Sequence, residues 1–318
     1  MNAPADDVVV AQRLTKRFGG FTAVDHLDLR IARGDVMGFI GPNGAGKSTT
    51  IRMFCGLILP TEGSASVAGF DVGSQPQQVR EHIGYMSQKF SLYGDLTVRE
   101  NLRFFGGIYH VPRQEMAERV DYAVTMAGLK GQEDTLVATL AGGWKQRLAL
   151  GCAILHHPPV LFLDEPTSGV EPEARRRFWD LIHELAAGGV TILVSTHYMD
   201  EAEYCNRIAL IDRGKLVAIG SPGELRSQGL GGRLYEVECT PLGAALETLH
   251  DAPGVVDAAI FGDKLHVILK SDAMSAQALI AMLSTRGLQP GTARAVLPSL
   301  EDVFVRLVAR GRDTREMT

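Results

Sequence analysis

The sequence predicts an α/β protein organised on a parallel core sheet, followed by a small α+β domain of ferredoxin-like order. Three observations lead there. Short apolar runs at Val36-Met37-Gly38-Phe39-Ile40, Val160-Leu161-Phe162-Leu163 and Thr191-Ile192-Leu193-Val194 read as strands buried on both faces. Helical patterns separate them, as where Phe178, Leu181, Ile182 and Leu185 fall at i, i+3, i+4 and i+7. The pattern then changes after about Leu225, across the flexible stretch Ser227-Gln228-Gly229-Leu230-Gly231-Gly232. A chain of 318 residues accommodates two domains of roughly 100–200 residues each. The expected domains are residues 8–228, with a helical lobe at about 92–150, and residues 233–310.

Taken in order, Leu27, Leu29 and Ile31 alternate with Asp28 and Arg30, the mark of a half-exposed antiparallel strand. The run Val36–Ile40 feeds a glycine-rich turn and a helix from Lys47. From Leu92 to about Leu140 the pattern is helical with no comparable apolar strand, so this segment reads as an inserted lobe. A helix over 144–155 then leads into the second buried run. Past the boundary the expected order is strand 234–239, helix 242–250, strand 255–261, a Gly262-Asp263 turn and strand 265–269. Helix 273–285 and strand 292–296 complete a β-α-β-β-α-β pattern. A last helix starts at Ser299 with Asp302 completing a capping box, and its stripe of Leu300, Val303, Phe304, Leu307 and Val308 is expected to pack on its own domain.

Composition excludes several classes. The formal charge of -5 argues against nucleic acid as the main partner, because phosphate binding leaves a basic footprint. The glycines are clustered rather than periodic, which excludes collagen. Cys55, Cys152, Cys205 and Cys239 form no CxxC pair and read as buried free thiols of a reducing compartment. The acidic start Met1-Asn2-Ala3-Pro4-Ala5-Asp6-Asp7 is unlike a secretion signal. No apolar run approaches the roughly 18–20 residues that span a bilayer; the run from Leu148 to Leu155 is broken by His156, His157 and two prolines. A soluble chain is expected, with any membrane role exercised through a partner.

The chemistry concentrates in two places. Gly41-Pro42-Asn43-Gly44-Ala45-Gly46-Lys47-Ser48 fits G-x-x-x-x-G-K-[ST] between a strand and a helix, with Thr49 next in that helix. Its glycines let successive backbone N–H groups turn inward on a phosphate, and the helix N-terminus adds partial positive charge. Lys47 is placed for the β- and γ-phosphates and Ser48 for Mg²⁺. The run Val160–Leu163 ends in Asp164-Glu165: the aspartate is delivered to the metal shell at the carboxyl end of its strand, and Glu165 is placed as general base for an attacking water.

Over residues 8–225 the chain resembles the nucleotide-binding subunits of ATP-binding cassette (ABC) transporters, and Leu140-Ala141-Gly142-Gly143-Trp144-Lys145-Gln146-Arg147 is similar to their signature. The resemblance implies a P-loop cassette with an antiparallel β subdomain, hydrolysing ATP with Mg²⁺ at Ser48, Gln88 and Asp164. Two copies, or a pair with a different cassette, would meet head to tail, so that Leu140, Ala141, Gly142, Gly143 and Gln146 of one touch the ATP of the other. It makes Phe18 the adenine-stacking aromatic, Gln88 the sensor of Mg²⁺ and attacking water, and His197 the γ-phosphate contact. Two departures stand out: Ala141 replaces the usual serine, and Glu171 the usual aspartate. Loss of a hydrogen bond to a charged group weakens the closed dimer by about 1.5–3 kcal/mol.

The Gly-Trp-Lys-Gln-Arg signature and the ending Leu297-Pro298-Ser299-Leu300-Glu301-Asp302-Val303-Phe304 resemble bacterial drug-export subunits that carry a small C-terminal accessory domain. This implies export of a small drug-like or lipophilic molecule through a separate membrane permease, with the chain cytoplasmic and peripheral on the inner face of the membrane. By the same resemblance Lys89-Phe90-Ser91-Leu92-Tyr93 would lie where a permease helix docks. The alternative is a soluble ABC-type ATPase acting as a clamp or regulator on nucleic acid or protein.

Overall fold

The computed structural model describes residues 6–89, 91–229, 231–250, 252–270 and 274–316. The chain divides into two compact units, Met1–Ile219 and Gly220–Thr318.

The first unit opens with a hairpin of β1 (Asp7–Phe18) and β2 (Phe21–Ala32), continues with β3 (Val36–Ile40) and α1 (Lys47–Phe54), and then runs β4 (Glu62–Val67), β5 (Phe70–Asp71), α2 (Pro76–Glu81) and β6 (Ile83–Met86). Three helices follow, α3 (Val98–Ile108), α4 (Met116–Met126) and α5 (Gly142–Ile154), before β7 (Val160–Asp164), α6 (Pro172–Ala187), β8 (Thr191–Thr196), β9 (Arg207–Asp212) and β10 (Lys215–Gly220). The strands form two sheets, one ordered β2-β1-β4-β5 and one ordered β10-β9-β3-β8-β7-β6. Strands β6, β7, β8, β3 and β9 pair in parallel, as their unbroken apolar runs require. Every residue of β3, β7 and β8 is buried.

Between the two sheets lies one core, containing Leu27, Phe39, Ile51, Phe54 and Phe162. Phe54 of α1 stacks on Phe162 of β7 with ring centroids 5.8 Å apart, so the helix after the glycine loop is seated on the strand that carries the acid pair. The lobe has a core of its own, including Leu102, Val120, Leu129, Leu148 and Cys152. It starts at a capping box, in which Thr97 and Glu100 satisfy each other's backbone N–H.

The long strand β1 was not legible as a strand in sequence. Its pairing shifts register at Ala11–Leu14 and again at Leu14–Lys16, and Arg13 adopts a positive φ of 46°. A bulge of this kind puts consecutive residues out of alternation and erases the period of two on which a strand is read.

The second unit contains α7 (Pro222–Gly229), β11 (Arg233–Thr240), α8 (Leu242–His250), β12 (Val255–Phe261), β13 (Lys264–Leu269), α9 (Ala276–Thr285), β14 (Gln289–Ala295) and α10 (Leu300–Glu316). Its antiparallel sheet, ordered β12-β13-β11-β14, has the strand order and helix placement of a ferredoxin-like domain. Val237, Leu265, Val267, Leu279 and Leu283 are its core. Strand β14 begins three residues before the expected 292, and pairs through Pro290. A proline is tolerated there because β14 is an edge strand. The α10 capping box is present: Ser299 N–H and Oγ both donate to Asp302 Oδ2, at 2.8 and 2.6 Å, and Asp302 N–H donates back to Ser299 Oγ. Leu300 and Val303 are buried, and the helix is tied to its own sheet by His266 to Asp302 and by Arg306 to Asp257.

Phe162 joins sheet and helix in the first unit, so Phe162→Ala leaves a cavity under Phe54. The expected loss is about 3–5 kcal/mol of stability, read from urea unfolding; a loss below about 1 kcal/mol would contradict this packing.

Candidate functional site

The loop between β3 and α1 is built by two glycines that no other residue can replace. A Cβ on Gly41 would lie 2.1 Å from the Ile211 carbonyl oxygen. Gly46 has φ of +105°, and a Cβ there would lie 2.4 Å from the Ala23 carbonyl oxygen. Between them Ala45 is pinned, its N–H donating to Pro42 O and its carbonyl accepting from Gly214 N–H at 2.8 Å. Gly46 is also the N-cap of α1 and offers no capping side chain. The N–H groups of Lys47, Ser48 and Thr49 therefore open the helix without intrahelical partners, and with the helix dipole behind them they favour an anion.

Strand register then brings the acid pair to this loop. Asp164 of β7 sits opposite Ser195 of β8. Ser195 Oγ donates to Asp164 Oδ1 at 2.7 Å and accepts from Glu165 N–H at 2.9 Å, while Ser48 Oγ reaches the same Oδ1 at 2.9 Å. Burial pushes the Asp164 pKa up, and the two serine hydrogen bonds oppose that shift. Glu165 has a φ of +48°, a left-handed conformation that strains a non-glycine residue by about 1–3 kcal/mol. That bend turns its side chain toward the loop. Lys47 Nζ lies 3.1 Å from Glu165 Oε1, and Gln88 Nε2 donates to Glu165 Oε2 at 3.1 Å. His197 Nδ1 is 3.3 Å from Oε2 but not aligned for a hydrogen bond. The Lys47 ammonium also donates to the carbonyls of Gly41 and Pro42, at 2.8 and 3.1 Å.

Six residues expected from sequence thus converge: Lys47, Ser48, Gln88, Asp164, Glu165 and His197. Phe18 lies at the exposed tip of the β1–β2 hairpin, half of its surface (51%) open and Lys16 Nζ 5.2 Å from the ring centroid. The hairpin adjoins the loop through the Ala23 carbonyl against Gly46. Ser48 and Asp164 present hard oxygen donors, and Gln88 an amide oxygen, a set suited to Mg²⁺ completed by phosphate oxygens and water. Among the described residues no cluster of three or more His, Cys, Asp or Glu side chains could hold a metal ion.

The signature residues stand in a second groove, of about 350 Å³, which Ala141, Gly142 and Gly143 share with Gly169, Glu171 and Arg177. Nothing lies within 4 Å of where a Cβ on Gly142 would project. Ala141 is the N-cap of α5 and Glu171 that of α6, and neither makes a side-chain capping bond. The Arg147 guanidinium stacks on Trp144 at 3.9 Å; burial and the charge of Arg177 lower its pKa. Leu140 is buried, so only its backbone is offered. Gln146 corrects the expectation from sequence: its side chain is fully buried and its amide makes no hydrogen bond, so it is not part of this exposed surface.

Ser195 escaped the sequence reading. It appeared only as part of Ser195-Thr196-His197; its pairing with Asp164 depends on register between two strands that single-sequence patterns do not reveal.

Residues 24–168 match the family described as ABC transporter, and residues 220–308 match the ATP-binding protein DrrA1-3-like C-terminal domain. Residues 145–199 also match an AAA domain family. The probable multidrug ABC transporter ATP-binding protein YbhF of Escherichia coli K12 is 48% identical over 248 residues, which are 78% of this chain and 43% of that protein. The chain thus spans less than half the length of that relative. The Nod factor export ATP-binding protein I of Cupriavidus metallidurans is 36% identical over 97% of this chain and 99% of its own. Among solved structures, a dimeric post-hydrolysis ATP-binding cassette bound to ADP and phosphate superposes with a TM-score of 0.61 at 26% identity, covering 67% of this chain and 98% of that one. No helix among the described residues is long and apolar enough to cross a membrane.

The raised pKa of Asp164 has a stability consequence of definite sign. An acid held above its ordinary value binds its proton more tightly folded than unfolded, so stability falls as pH rises from the ordinary carboxylate range toward the raised pKa, and the cost is complete above it. Asp164→Asn keeps an acceptor for Ser48 and Ser195 without the charge. In EDTA and without nucleotide it is expected to unfold at a higher temperature than the parent protein at neutral pH. The gap should close as pH falls below the ordinary carboxylate value of about 4.

Proposed function

Because this chain belongs to the ABC transporter ATP-binding protein family, we propose that it binds and hydrolyses ATP with Mg²⁺ and so powers export of a small molecule through a membrane permease. The observation that carries the reading is the placement of Glu165 between Lys47, Gln88 and His197. The glycine loop and the α1 N-terminus cradle the β- and γ-phosphates, with Phe18 under the adenine. Lys47 exchanges part of its bonding to Gly41 O, Pro42 O and Glu165 for phosphate oxygens. Glu165 so released orients a water against the γ-phosphorus and takes its proton, while the bond from that phosphorus to the β–γ bridging oxygen breaks to leave ADP. Gln88 orients the same water and His197 hydrogen-bonds the γ-phosphate. Ser48, Asp164 and Gln88 would hold Mg²⁺, which would supply positive charge against the phosphate oxygens.

The signature groove does its work in a pair of chains. Ala141, Gly142 and Gly143 line a groove that none of Lys47, Ser48, Asp164 and Glu165 borders, so in this reading they complete a site when they close over the nucleotide of another chain. The solved dimeric cassette supports this arrangement. The γ-phosphate is then the ligand that binds the closed pair better than the open one, and its release resets the partner.

Permease docking is supported by a groove of about 420 Å³ lined by Leu57, Arg80, Tyr85, Ile108, Tyr109 and His110. A smaller groove shares Tyr85 and Tyr109 with it and reaches Ser91 and Leu92. These belong to the stretch expected to face a permease helix; Phe90 lies outside the described residues, and Tyr93 is exposed with its ring 4.7 Å from Phe104. Exposed Leu57, Leu59 and Ile108 give the surface an apolar character suited to a short permease helix. The names of the relatives favour export over a soluble clamp on nucleic acid or protein; in that reading the chain works on the inner face of the cell membrane beside its permease.

Two variants test the reading. Glu165→Gln is expected to stop phosphate release while accumulating an ATP-bound dimer in sedimentation velocity; unchanged turnover would remove Glu165 from its role. Ala141→Ser supplies both the α5 cap and a donor to the nucleotide. In the Glu165→Gln background it should tighten ATP-dependent dimerisation by about tenfold or more, the equivalent of one hydrogen bond to a charged group.

A further inference from the structure

Behind the acid pair lies a buried polar cluster that the chemistry above does not use. Glu201, in the short 3-10 turn Met199–Tyr204, is fully buried. Its Oε1 accepts from Thr167 Oγ1 at 2.5 Å, and Thr167 is 1% exposed. Arg175, in the first turn of α6, brings Nε to 3.5 Å from the same Oε1 and Nη1 to 3.4 Å from Asp200 Oδ2. Its guanidinium also lies 4.3 Å from the centre of the Tyr198 ring, which packs in turn on the His197 ring at 4.1 Å.

The cluster joins three segments that each lead to a functional group. Thr167 is two residues after Glu165, Tyr198 is next to His197, and Arg175 follows the 168–171 segment that borders the signature groove. A fully buried carboxylate beside a guanidinium that is only partly open to water is expensive to desolvate and adds little net stability compared with apolar packing. What they do supply is direction. The positive φ of Glu165 is a conformation that persists only where its surroundings over-determine it. Ser195 fixes that residue's own N–H; the hydrogen bond of Thr167 to Glu201 fixes the chain two residues further on.

We propose that Thr167, Glu201 and Arg175 form a clamp that holds Glu165 and His197 in register with each other and ties both to the 168–171 segment. They are positioning residues, since each acts through the chain that carries Glu165 or through the Tyr198 ring beside His197. The effect on turnover rests on the ATPase reading above, whereas the effect on local order does not.

The test uses the full chain with Thr167→Val, Glu201→Gln and Thr167→Ser. Thr167→Val removes the hydroxyl at constant shape, and is expected to lower kcat roughly 10- to 100-fold with KM for ATP unchanged, the scale of a small misplacement of reacting groups. Thr167→Ser restores the parent rate. Hydrogen exchange without nucleotide supplies the second measurement: amides of residues 165–171 and 197–201 exchange faster in Thr167→Val and Glu201→Gln, while those of α1 do not change. Equal exchange in parent and variants, a uniform rise across the first unit, or failure of the serine to restore order overturns the clamp. If Thr167→Val does not fold, Glu201→Gln carries both measurements. A parent protein without turnover overturns the ATPase reading, and the exchange data still decide the clamp.

Discussion

The ion pair of Lys47 with Glu165 is the constraint around which the first unit is arranged. Its partners are 3% and 7% exposed, 3.1 Å apart. An ion pair so far from water is tolerated only when each charge is fully hydrogen-bonded. Lys47 meets that condition with the carbonyls of Gly41 and Pro42, which its own loop can present only because that loop runs hard against β9. Glu165 meets it with Gln88, and does so by accepting an unfavourable backbone conformation. Strand β7 delivers the carboxylate, β3 and α1 deliver the ammonium, and β8 lies between the two strands, holding the acid pair with Ser195 and bringing His197 alongside.

The antiparallel sheet contributes in a less obvious way. The Ala23 carbonyl of β2 fills the space beside Gly46 and, on its other flank, beside Gly214. The glycine loop is therefore walled by β2 and by the β9–β10 connection, with Gly214 N–H bonded to Ala45 O. A loop this confined gives its N–H groups a fixed direction before any anion arrives, which is what makes backbone an effective phosphate cradle.

Much of this was open to reading in the sequence. Three apolar runs became the buried strands β3, β7 and β8, and the glycine, lysine and acid positions followed from their strand ends. The β-α-β-β-α-β order of the second unit was equally plain, because short β-prone runs are separated by helical patterns and the Gly262-Asp263 turn is marked. What escaped depends on pairing between distant segments. The bulge at Arg13 hid β1, and β14 starts earlier than expected because an edge strand admits Pro290. Ser195 meets Asp164 through register alone, and Gln146 turns inward on a helix whose mixed apolar surface gives little indication of a buried face. The left-handed backbone of Glu165 has no sequence signal, since most residues found in that conformation are glycine or asparagine.

The two departures from the usual signature acquire a common physical sense in the structure. Ala141 and Glu171 are the N-caps of α5 and α6, the two helices that open on the same groove. A serine at 141 and an aspartate at 171 would each have a side chain of the right length to accept from its helix's own N–H groups, an interaction worth about 0.5–2 kcal/mol per helix. Alanine has no acceptor, and the longer glutamate does not cap here. Both helix starts therefore keep their N–H groups and their positive dipole ends available to the groove, whose lining sets Arg147 and Arg177 beside Glu171 and Glu173, with Glu173 paired to Arg177. The side-chain charges of the groove balance, and what its own chain leaves unsatisfied there is backbone N–H at two helix starts, a donor suited to an anion. Neither substitution changes the formal charge of the groove, since alanine stands for a neutral serine and glutamate for another carboxylate, so what the pair alters is how far the two helix starts are satisfied and not the sign of the field around them.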